Sequence, residues 1–424
     1  AAAYLHKSGF KTSTILVIVH NLLVDGWFIS LSHNYSSVMG WLFLASLQIA
    51  SASTALAITY NNRRNTIVPV LSHGISDHDL PSITVAIPAS NETESLRSCL
   101  ESLVQSNYPK LEVLVLDACS QDKTSAIIKS FAHEGVRFVK GSIADQDWLA
   151  KNWAYQQLAQ ESNGSILVFA GADMTFSADT LRNLIITMQE RQLAMVSVLP
   201  KYPQPISYRT IGSLVQPIRH AWEISLPRRL FKRPAVISSC WAVRADILRA
   251  SGGFAAVRRS ICPESHFAKY ANNRGAYMLF RAGTTLPLLS TKTSADQLDT
   301  AIRTKYPQQH RRPEMVLTVS AIEVMLIAGS LPLAFGAAIA GYWVTAALAA
   351  TSFVLYTIMY KQVLQVAYER ATLAGVASLL PALAADIVIR QYSMYRYEFS
   401  EVIWKGRNVC LPVMQVIPRL PKID

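Results

Sequence analysis

The chain has 424 residues, of which 51% are hydrophobic and 16% are charged, and its formal net charge is +12 at pH 7. Soluble proteins carry about 25% charged residues, so this composition indicates a membrane protein. The positive charge could attract nucleic acid, anionic lipid or a phosphorylated substrate. Because the sequence has no arm rich in lysine and arginine and no basic motif interleaved with aromatic residues, we expect no nucleic-acid partner.

The cysteines indicate the redox environment of the chain. There are five, at scattered positions and without a C-x-x-C pair. This pattern favours a reducing compartment and argues against both disulfides and a zinc site.

The N-terminal part of the chain contains two apolar stretches. Thr14–Leu31 has the length of a membrane span of about 20 residues, although Asp25 makes it a marginal one. Ser36–Tyr60 is a more uniform second span. Cytoplasmic flanks are rich in lysine and arginine, so basic residues on both sides place both ends of this hairpin in the cytoplasm: Lys7, Lys11, Arg63 and Arg64.

The C-terminal part is also apolar, from Met315 to Ile389. Met315–Tyr360 predicts two spans broken near Pro332–Gly341, and Leu373–Ile389 is a third stretch interrupted by Pro381. Three full crossings would put the basic C-terminal tail outside the cell, against the distribution of positive charge in membrane proteins. We therefore expect one of these segments to be re-entrant or interfacial, with Lys361–Thr372 as a short amphipathic segment at the interface.

The middle of the chain alternates strand and helix patterns. The predicted strands are Ile83–Ile87, Leu111–Leu116, Val136–Val139 and Ile166–Ala170, and the predicted helices are Glu94–Ser106, Asp122–His133 and Ala154–Ser162. This alternation predicts a doubly wound, mostly parallel α/β sheet. Asp117 and Asp173 follow two of the strands. Right-handed crossovers would place both acids at the edge where such sheets bind ligands.

We therefore predict four regions. They are an N-terminal transmembrane hairpin (1–64), a cytoplasmic catalytic domain (81–312), a C-terminal transmembrane bundle (313–390) and a basic cytoplasmic tail (391–424).

Ordered motifs in the middle region resemble those of the family-2 inverting glycosyltransferases. They are Ile87-Pro-Ala-Ser-Asn-Glu92, Cys99-Leu-x-Ser-Leu103, Gln105-x-x-Tyr-Pro109, Glu112-Val-Leu-Val-Leu-Asp117, Ser120-x-Asp-x-Thr124 and Ala172-Asp173. The resemblance implies the GT-A fold, which binds nucleotide-diphospho-sugars. Trp148–Ala154 and Gly252–Glu264 are similar to elements of the lipid-glycosylating branch, which includes ceramide glucosyltransferase and the carotenoid- and hopanoid-associated transferases.

The resemblance also implies roles for residues that bind the donor. Asp117 would hydrogen-bond the uracil edge of a UDP-sugar, and Pro88, Ala89 and Glu92 would line the nucleoside. Lys151 would contact phosphate, because the ammonium group of a lysine is a compact positive charge. The alternative for Lys151 is a solvated lysine at the start of a helix.

Two further carboxylates would carry the chemistry. Asp173 would hold a divalent metal, Mg²⁺ or Mn²⁺, that bridges the two phosphates, and Glu264 would be the general base. The alternative for Glu264 is an acid stabilised by the dipole at a helix N-terminus.

The sequence departs from the family pattern at both acidic motifs. Ala118 replaces the second acid of Asp-Asp-Gly-Ser, and Gly171 replaces the first acid of Asp-x-Asp. Magnesium takes one or two protein carboxylates together with substrate phosphates. Asp173 alone would therefore bind the metal with reduced affinity.

Two C-terminal motifs are also candidates for substrate binding. Gln308-Gln-His-Arg-Arg312 resembles Gln-x-x-Arg-Trp, which assigns Gln308 and Arg311, and its alternative is an interfacial basic cluster that sets topology. Gln216-x-x-Arg219 has the same spacing but precedes Glu264, so we set it aside. Trp404-Lys-Gly-Arg407 is similar to an element that closes some relatives, where it would cover the active site or bind headgroups.

From these observations we predict a multi-pass membrane enzyme with its catalytic domain in the cytoplasm. It would transfer a hexose, glucose or galactose, from a UDP-sugar to a lipid hydroxyl. Two alternatives remain open, a polysaccharide synthase and a catalytically degenerate membrane scaffold, the second because of Ala118 and Gly171.

Overall fold

The computed structural model describes residues 36–67, 76–145, 147–203, 210–226, 234–404 and 407–408. These residues fall into two compact units. One is drawn from Ala1–Leu56 and Gln309–Ile358, and the other from Ala57–Gln308 and Met359–Asp424. The predicted first span, Thr14–Leu31, and most of the basic tail lie outside the described residues.

The described strands are β1 Ile83–Ala89, β2 Leu111–Asp117, β3 Val136–Lys140, β4 Ile166–Ala170, β5 Met174–Phe176, β6 Met195–Leu199, β7 Cys240–Arg244, β8 Tyr277–Arg281, β9 Leu288–Ser290, β10 Ile403–Trp404 and β11 Arg407–Asn408. The described α-helices are α1 Ser36–Asn65, α2 Leu96–Val104, α3 Thr124–Ser130, α4 Ala150–Glu161, α5 Thr180–Glu190, α6 Ile211–Ile224, α7 Ala245–Ala250, α8 Glu264–Asn272, α9 Ser294–Gln308, α10 Pro313–Glu323, α11 Ser330–Ile339, α12 Trp343–Ala367, α13 Leu373–Ala377 and α14 Leu379–Phe399.

The larger unit is built on a seven-stranded sheet with the order β3-β2-β1-β4-β7-β6-β8. Its paired strands are parallel except at β7, which is antiparallel to both β4 and β6. The four strands predicted from the sequence are present, and the mostly parallel α/β sheet is confirmed. Helix α4 begins at Ala150, four residues before its predicted start, so it includes Lys151.

Both faces of the sheet are buried, which explains why its strands are continuously apolar. Side chains alternate between the faces along a strand. Val85, Val115 and Val168 therefore belong to one core cluster, whereas Leu114 and Leu167 belong to the other.

A second, two-stranded sheet joins β5 to β9 in antiparallel register. Met174 lies opposite Ser290, so the chain that follows β9 runs beside Asp173. This pairing brings together segments that are more than 100 residues apart in sequence.

The smaller unit consists of helical segments. Ala45, Leu333 and Ala349 form its buried apolar cluster, and the Gln48 side-chain amide donates a 2.8 Å hydrogen bond to the Met325 carbonyl. Helices α10 and α11 are separated by a π-helical turn at Val324–Ala328.

Two described helices are long and apolar enough to cross a membrane, Val38–Asn65 and Trp343–Ala367. A bent pair of helices, Pro313–Ala328 with Ser330–Ile339, would make a third if it forms one span, and its bend is 47°.

Helix α12 continues through Lys361 to Ala367, and Val363, Leu364 and Ala367 are fully buried. Lys361–Ala367 thus belongs to α12 and is largely buried, whereas the chain from Tyr368 to Thr372 follows the helix. The expected interfacial position of Lys361–Thr372 stays a prediction.

Candidate active site

Asp117 is the last residue of β2 and lies opposite Ala89 of β1 in the parallel register. Its buried carboxylate is oriented by two donors, since the Ser120 backbone N–H donates to Oδ1 (3.0 Å) and the Ser125 hydroxyl donates to Oδ2 (2.5 Å). The Ala118 N–H donates to the Ala89 carbonyl (2.8 Å). A carboxylate oxygen can accept more than one hydrogen bond, so Asp117 keeps capacity for a ligand.

The loop after β1 is tied to the loop after β2. The Glu92 N–H donates to Thr124 Oγ1 (2.8 Å), and the Gln121 N–H donates to Asn91 Oδ1 (2.9 Å). Asn91 has a φ of 53°, a left-handed conformation that asparagine tolerates better than most residues. Pro88, Ala89 and Glu92 therefore lie with Asp117 at one edge of the sheet.

Asp173 follows β4 at the same edge. Its Oδ2 accepts a hydrogen bond from the Ser290 hydroxyl (2.9 Å), and its backbone carbonyl accepts one from the Thr291 N–H (2.9 Å). A Cβ atom on Gly171 would come within 2.4 Å of Asp173 Oδ1. The Asp173 carboxylate thus occupies the space beside Gly171 that a second acid would need.

This donor set fits a resident divalent metal poorly. In the described ranges, no group of three or more His, Cys, Asp or Glu side chains could hold a metal ion. The sequence assigns the predicted Mg²⁺ or Mn²⁺ to Asp173 alone, and one oxygen of this carboxylate already accepts a hydrogen bond from the Ser290 hydroxyl. We therefore derive no catalytic step through a metal.

Glu264 is the first residue of α8 and is 2% exposed. Its Oε2 atom has no hydrogen-bond partner among the residues that the structure describes. Buried polar atoms are nearly always hydrogen-bonded, so an exception calls for a functional explanation. Behind Glu264, the Phe267 ring packs against the buried rings of Trp241 and Phe254.

Lys151 lies in the first turn of α4 and is half-buried. Its Nζ is 5.2 Å from the centroid of the Tyr155 ring, within the range of a cation–π contact. Burial alone would lower the pKa of Lys151, but the neighbouring Tyr155 hydroxyl and Glu264 carboxylate outweigh it, and the pKa is raised. This environment differs from that of a solvated lysine at a helix start.

Asn152 connects the start of α4 to the loop that leads to Glu264. Its side-chain amide, 1% exposed, donates to the carbonyls of Val257 (2.8 Å), Arg258 (3.1 Å) and Ser260 (2.8 Å). Asn152 therefore ties the first turn of α4, which contains Lys151, to a loop that ends four residues before Glu264.

Three cations that were not predicted to act also belong to this region. Lys292 interacts electrostatically with Asp173, Arg303 and Arg219, and Arg303 also interacts with Lys151. Burial lowers the pKa of Lys292 to about 8, with Asp173 opposing the shift, and burial lowers the pKa of Arg303 to about 10. Arg219 was set aside because its motif precedes Glu264 in sequence, an order that says nothing about proximity in the fold.

The C-terminal candidates have less structural context. Gln308 is the last residue of α9, and Arg311 lies in a turn with a φ of 53°. Trp404 pairs with Arg407 between β10 and β11, and the side chains of both lie outside what the structure describes. The substrate-binding roles of these four residues stay predictions.

Residues 84–252 match the family model described as "Glycosyl transferase family 2". This segment therefore resembles a family-2 glycosyltransferase domain. It includes the loops after β1 and β2, Lys151 and Asp173, and the mostly parallel sheet agrees with a GT-A-like fold. Glu264, Lys292 and Arg303 lie beyond the matched residues.

The chain is also similar to curated proteins. Glycosyltransferase AglE of Haloferax volcanii is 26% identical over 179 residues, which are 41% of this chain and 56% of that protein. A 4,4'-diaponeurosporenoate glycosyltransferase of Staphylococcus aureus is 29% identical over 164 residues, 38% of this chain and 42% of that protein. The chain thus spans about half the length of the relatives it matches.

Among solved structures, the mannosyltransferase PcManGT from Pyrobaculum calidifontis, in complex with GDP-Man and Mn²⁺, is similar with a TM-score of 0.46. The sequence identity is 17%, and the match covers 83% of this chain and 96% of that one.

Proposed function

We propose that the protein is an inverting glycosyltransferase that moves a hexose, glucose or galactose, from a UDP-sugar to the hydroxyl of a membrane lipid. The observation that carries this proposal is the buried Glu264 carboxylate, whose Oε2 has no partner among the described residues and which interacts electrostatically with Lys151. A buried carboxylate oxygen without a hydrogen-bond donor could accept the proton of the acceptor hydroxyl, as a general base does. The cation that interacts with it is suited to bind the phosphates of the sugar donor.

The proposed reaction is a single displacement. The acceptor hydroxyl oxygen forms a bond to the anomeric carbon while the bond from that carbon to the diphosphate breaks, and its electron pair leaves with UDP. The hydroxyl proton passes to Glu264. Asp117 accepts a hydrogen bond from the uracil ring, which its orientation by Ser120 and Ser125 supports.

A lipid acceptor is supported by two observations. Helices Val38–Asn65 and Trp343–Ala367 are long and apolar enough to cross a membrane, which would place the domain beside lipid. One of the matched relatives is named for diaponeurosporenoate as its acceptor. We place the domain on the cytoplasmic side, as the basic flanks predict.

The test uses the full chain purified in detergent, with radiolabelled UDP-glucose or UDP-galactose and mixed membrane lipids. Label in an extractable lipid supports the proposal, and the anomeric configuration of the product, read by NMR, tests inversion. Label in an insoluble polymer would instead identify a polysaccharide synthase. No turnover with either donor would favour the non-catalytic scaffold.

A further inference from the structure

The starting point is position 171, where glycine replaces the first acid of the family's Asp-x-Asp pattern. The Asp173 carboxylate lies over Gly171, with Oδ1 only 2.4 Å from the position of a Cβ atom there. One carboxylate remains where the family pattern has two. The charge of a bound diphosphate must therefore be balanced mainly by other groups.

Lys292 lies beside this carboxylate because of the pairing of β5 with β9. Ser290 and Thr291, the two residues before Lys292, donate hydrogen bonds to Asp173. The Lys292 carbonyl in turn accepts a 3.2 Å hydrogen bond from the side-chain amide of Gln297 on α9. The lysine backbone is thus fixed on both sides.

Two further cations lie on α6 and α9, and these helices are in close contact at their N-terminal ends. A Cβ atom on Gly212 would lie 1.9 Å from the Ser294 carbonyl oxygen, so only glycine permits this contact. Arg219 is on α6 and Arg303 is on α9, and both interact electrostatically with Lys292. The helix pair thereby brings its arginines to the lysine next to Asp173.

We propose that Lys292, Arg219 and Arg303, together with Lys151, form the site for the donor diphosphate, and that this site holds the diphosphate without a divalent metal. The inference rests on the proposed function and specifies how the nucleoside diphosphate, the leaving group of the proposed reaction, is bound. It assigns Lys292 and Arg303, which lie in none of the motifs, and Arg219, whose Gln-x-x-Arg spacing we set aside.

The charges in this region are mixed. Four cations, Lys151, Arg219, Lys292 and Arg303, lie among four acids, since Asp173 and Asp296 interact with Lys292, Asp299 with Arg303, and Glu264 with Lys151. The mutual repulsion of the cations contributes to the lowered pKa values of Lys292 and Arg303. A bound diphosphate is an anion, so it would relieve the repulsion among these cations, and its oxygens would accept charge-assisted hydrogen bonds from them.

The experiment measures UDP and GDP binding to the full chain by titration calorimetry, once with EDTA and once with Mn²⁺. We expect wild-type Kd values in EDTA to be within about tenfold of those in Mn²⁺. Lys292→Gln and Arg219→Gln should each weaken binding in EDTA by about tenfold or more, which corresponds to about 1.4 kcal/mol. Lys292→Arg should retain most of the affinity, because the positive charge is kept.

Arg244→Gln is the matched control, since Arg244 is an exposed arginine at the opposite edge of the sheet, next to Ile166 at the start of β4. It should bind like the wild type, and unfolding midpoints check that each variant is folded. Binding that needs Mn²⁺ in the wild type, or Gln variants that bind normally in EDTA, would overturn the inference and leave the proposed function standing. Binding of neither nucleotide under either condition would overturn both.

Discussion

At the scale of single residues, Glu264 combines burial with an unsatisfied oxygen. Burying a carboxylate without full hydrogen bonding is costly, and 2% exposure leaves little room for water. The helix N-terminus at which it lies offsets part of this cost through the dipole. A residue that destabilises the fold in this way is best explained by its chemistry.

Glu264→Gln should therefore lower turnover by about 10²–10⁴-fold while the Kd for UDP changes little, because the amide keeps the shape but cannot accept the proton. Initial rates and calorimetry measure the two effects. The unfolding midpoint should stay the same or rise, since a neutral amide is easier to bury. A variant with the full wild-type rate would remove Glu264 from the mechanism.

Gly171→Asp restores the second acid of the family pattern. We expect it to increase the stimulation of UDP binding by Mn²⁺, because a divalent ion can then use two carboxylates. The new side chain needs the Asp173 carboxylate to rotate away from its position 2.4 Å from a Cβ atom. Gly171→Ala imposes the same steric change without the charge, so equal Mn²⁺ stimulation in both variants would contradict the explanation.

His220 predicts a pH dependence of stability. Its side chain is 2% exposed and its ring stacks on the Tyr202 ring, with Nε2 3.1 Å from the Gln216 side-chain nitrogen. Burial, together with the positive charge of Arg219, lowers the pKa of His220 from 6.5 to about 3. Between these values the unfolded chain binds a proton that the folded chain does not, so stability falls as the pH falls.

The His220→Gln variant lacks this effect. Relative to the wild type, it should gain up to about 1.4 kcal/mol of stability per pH unit as the pH is lowered from 6.5 towards 4. Thermal unfolding of both proteins over this range measures the difference. A difference in stability that does not change with pH would show that His220 is protonated in the folded state.

At the scale of elements, the start of α4 and the loop before α8 behave as one assembly. Asn152→Ala removes a side-chain donor to the carbonyls of Val257, Arg258 and Ser260. The Val257 and Arg258 carbonyls keep backbone donors, the Ser260 and Leu149 N–H groups, so we expect a loss of only about 1 kcal/mol in unfolding free energy. Turnover should fall more than UDP affinity, because this loop leads to Glu264, the proposed base.

Unfolding midpoints and separate kcat and Kd measurements test this role for Asn152. Asn152→Asp keeps the size, removes the amide donor and buries a carboxylate beside carbonyl oxygens, so it should destabilise the fold at least as much as the alanine variant. If either variant loses UDP affinity and turnover to the same extent, Asn152 acts on the donor site and not on the position of Glu264.

The first four strands were predictable within about two residues, because each is an apolar run bounded by Gly, Pro or charged residues. The reversed strand β7 was not, since direction depends on pairing partners that are distant in sequence. Helix α9 was also missed: it carries Arg303 on a polar sequence with Pro307 near its end. Asp117 and Asp173 could be found from strand ends, whereas Lys292 and Arg303 depend on tertiary contacts that no motif records. Arg219 stands in a Gln-x-x-Arg spacing, but its place in the chain gave no sign of its neighbours in the fold.

At the scale of the whole molecule, the apolar helices predict how the protein fractionates. Helices Val38–Asn65 and Trp343–Ala367 favour stable insertion in a bilayer. The full chain expressed in cells should sediment with membranes after an alkaline carbonate wash and should dissolve in detergent. Release into the carbonate supernatant would show that these helices do not span.

The hydrogen bonds that Asn152 donates have a consequence for how each substrate affects the binding of the other. Lys151 and Asn152 are neighbours in one helical turn, so a donor that draws Lys151 towards its phosphates also acts on the loop from Val257 to Ser260. Thermodynamic coupling is reciprocal, so an acceptor that orders this loop must in turn tighten the hold on the donor. Under the proposed function, we therefore expect donor and acceptor to bind with positive cooperativity. The ternary complex would then form in preference to the complex with donor alone, in which the sugar nucleotide can only be hydrolysed.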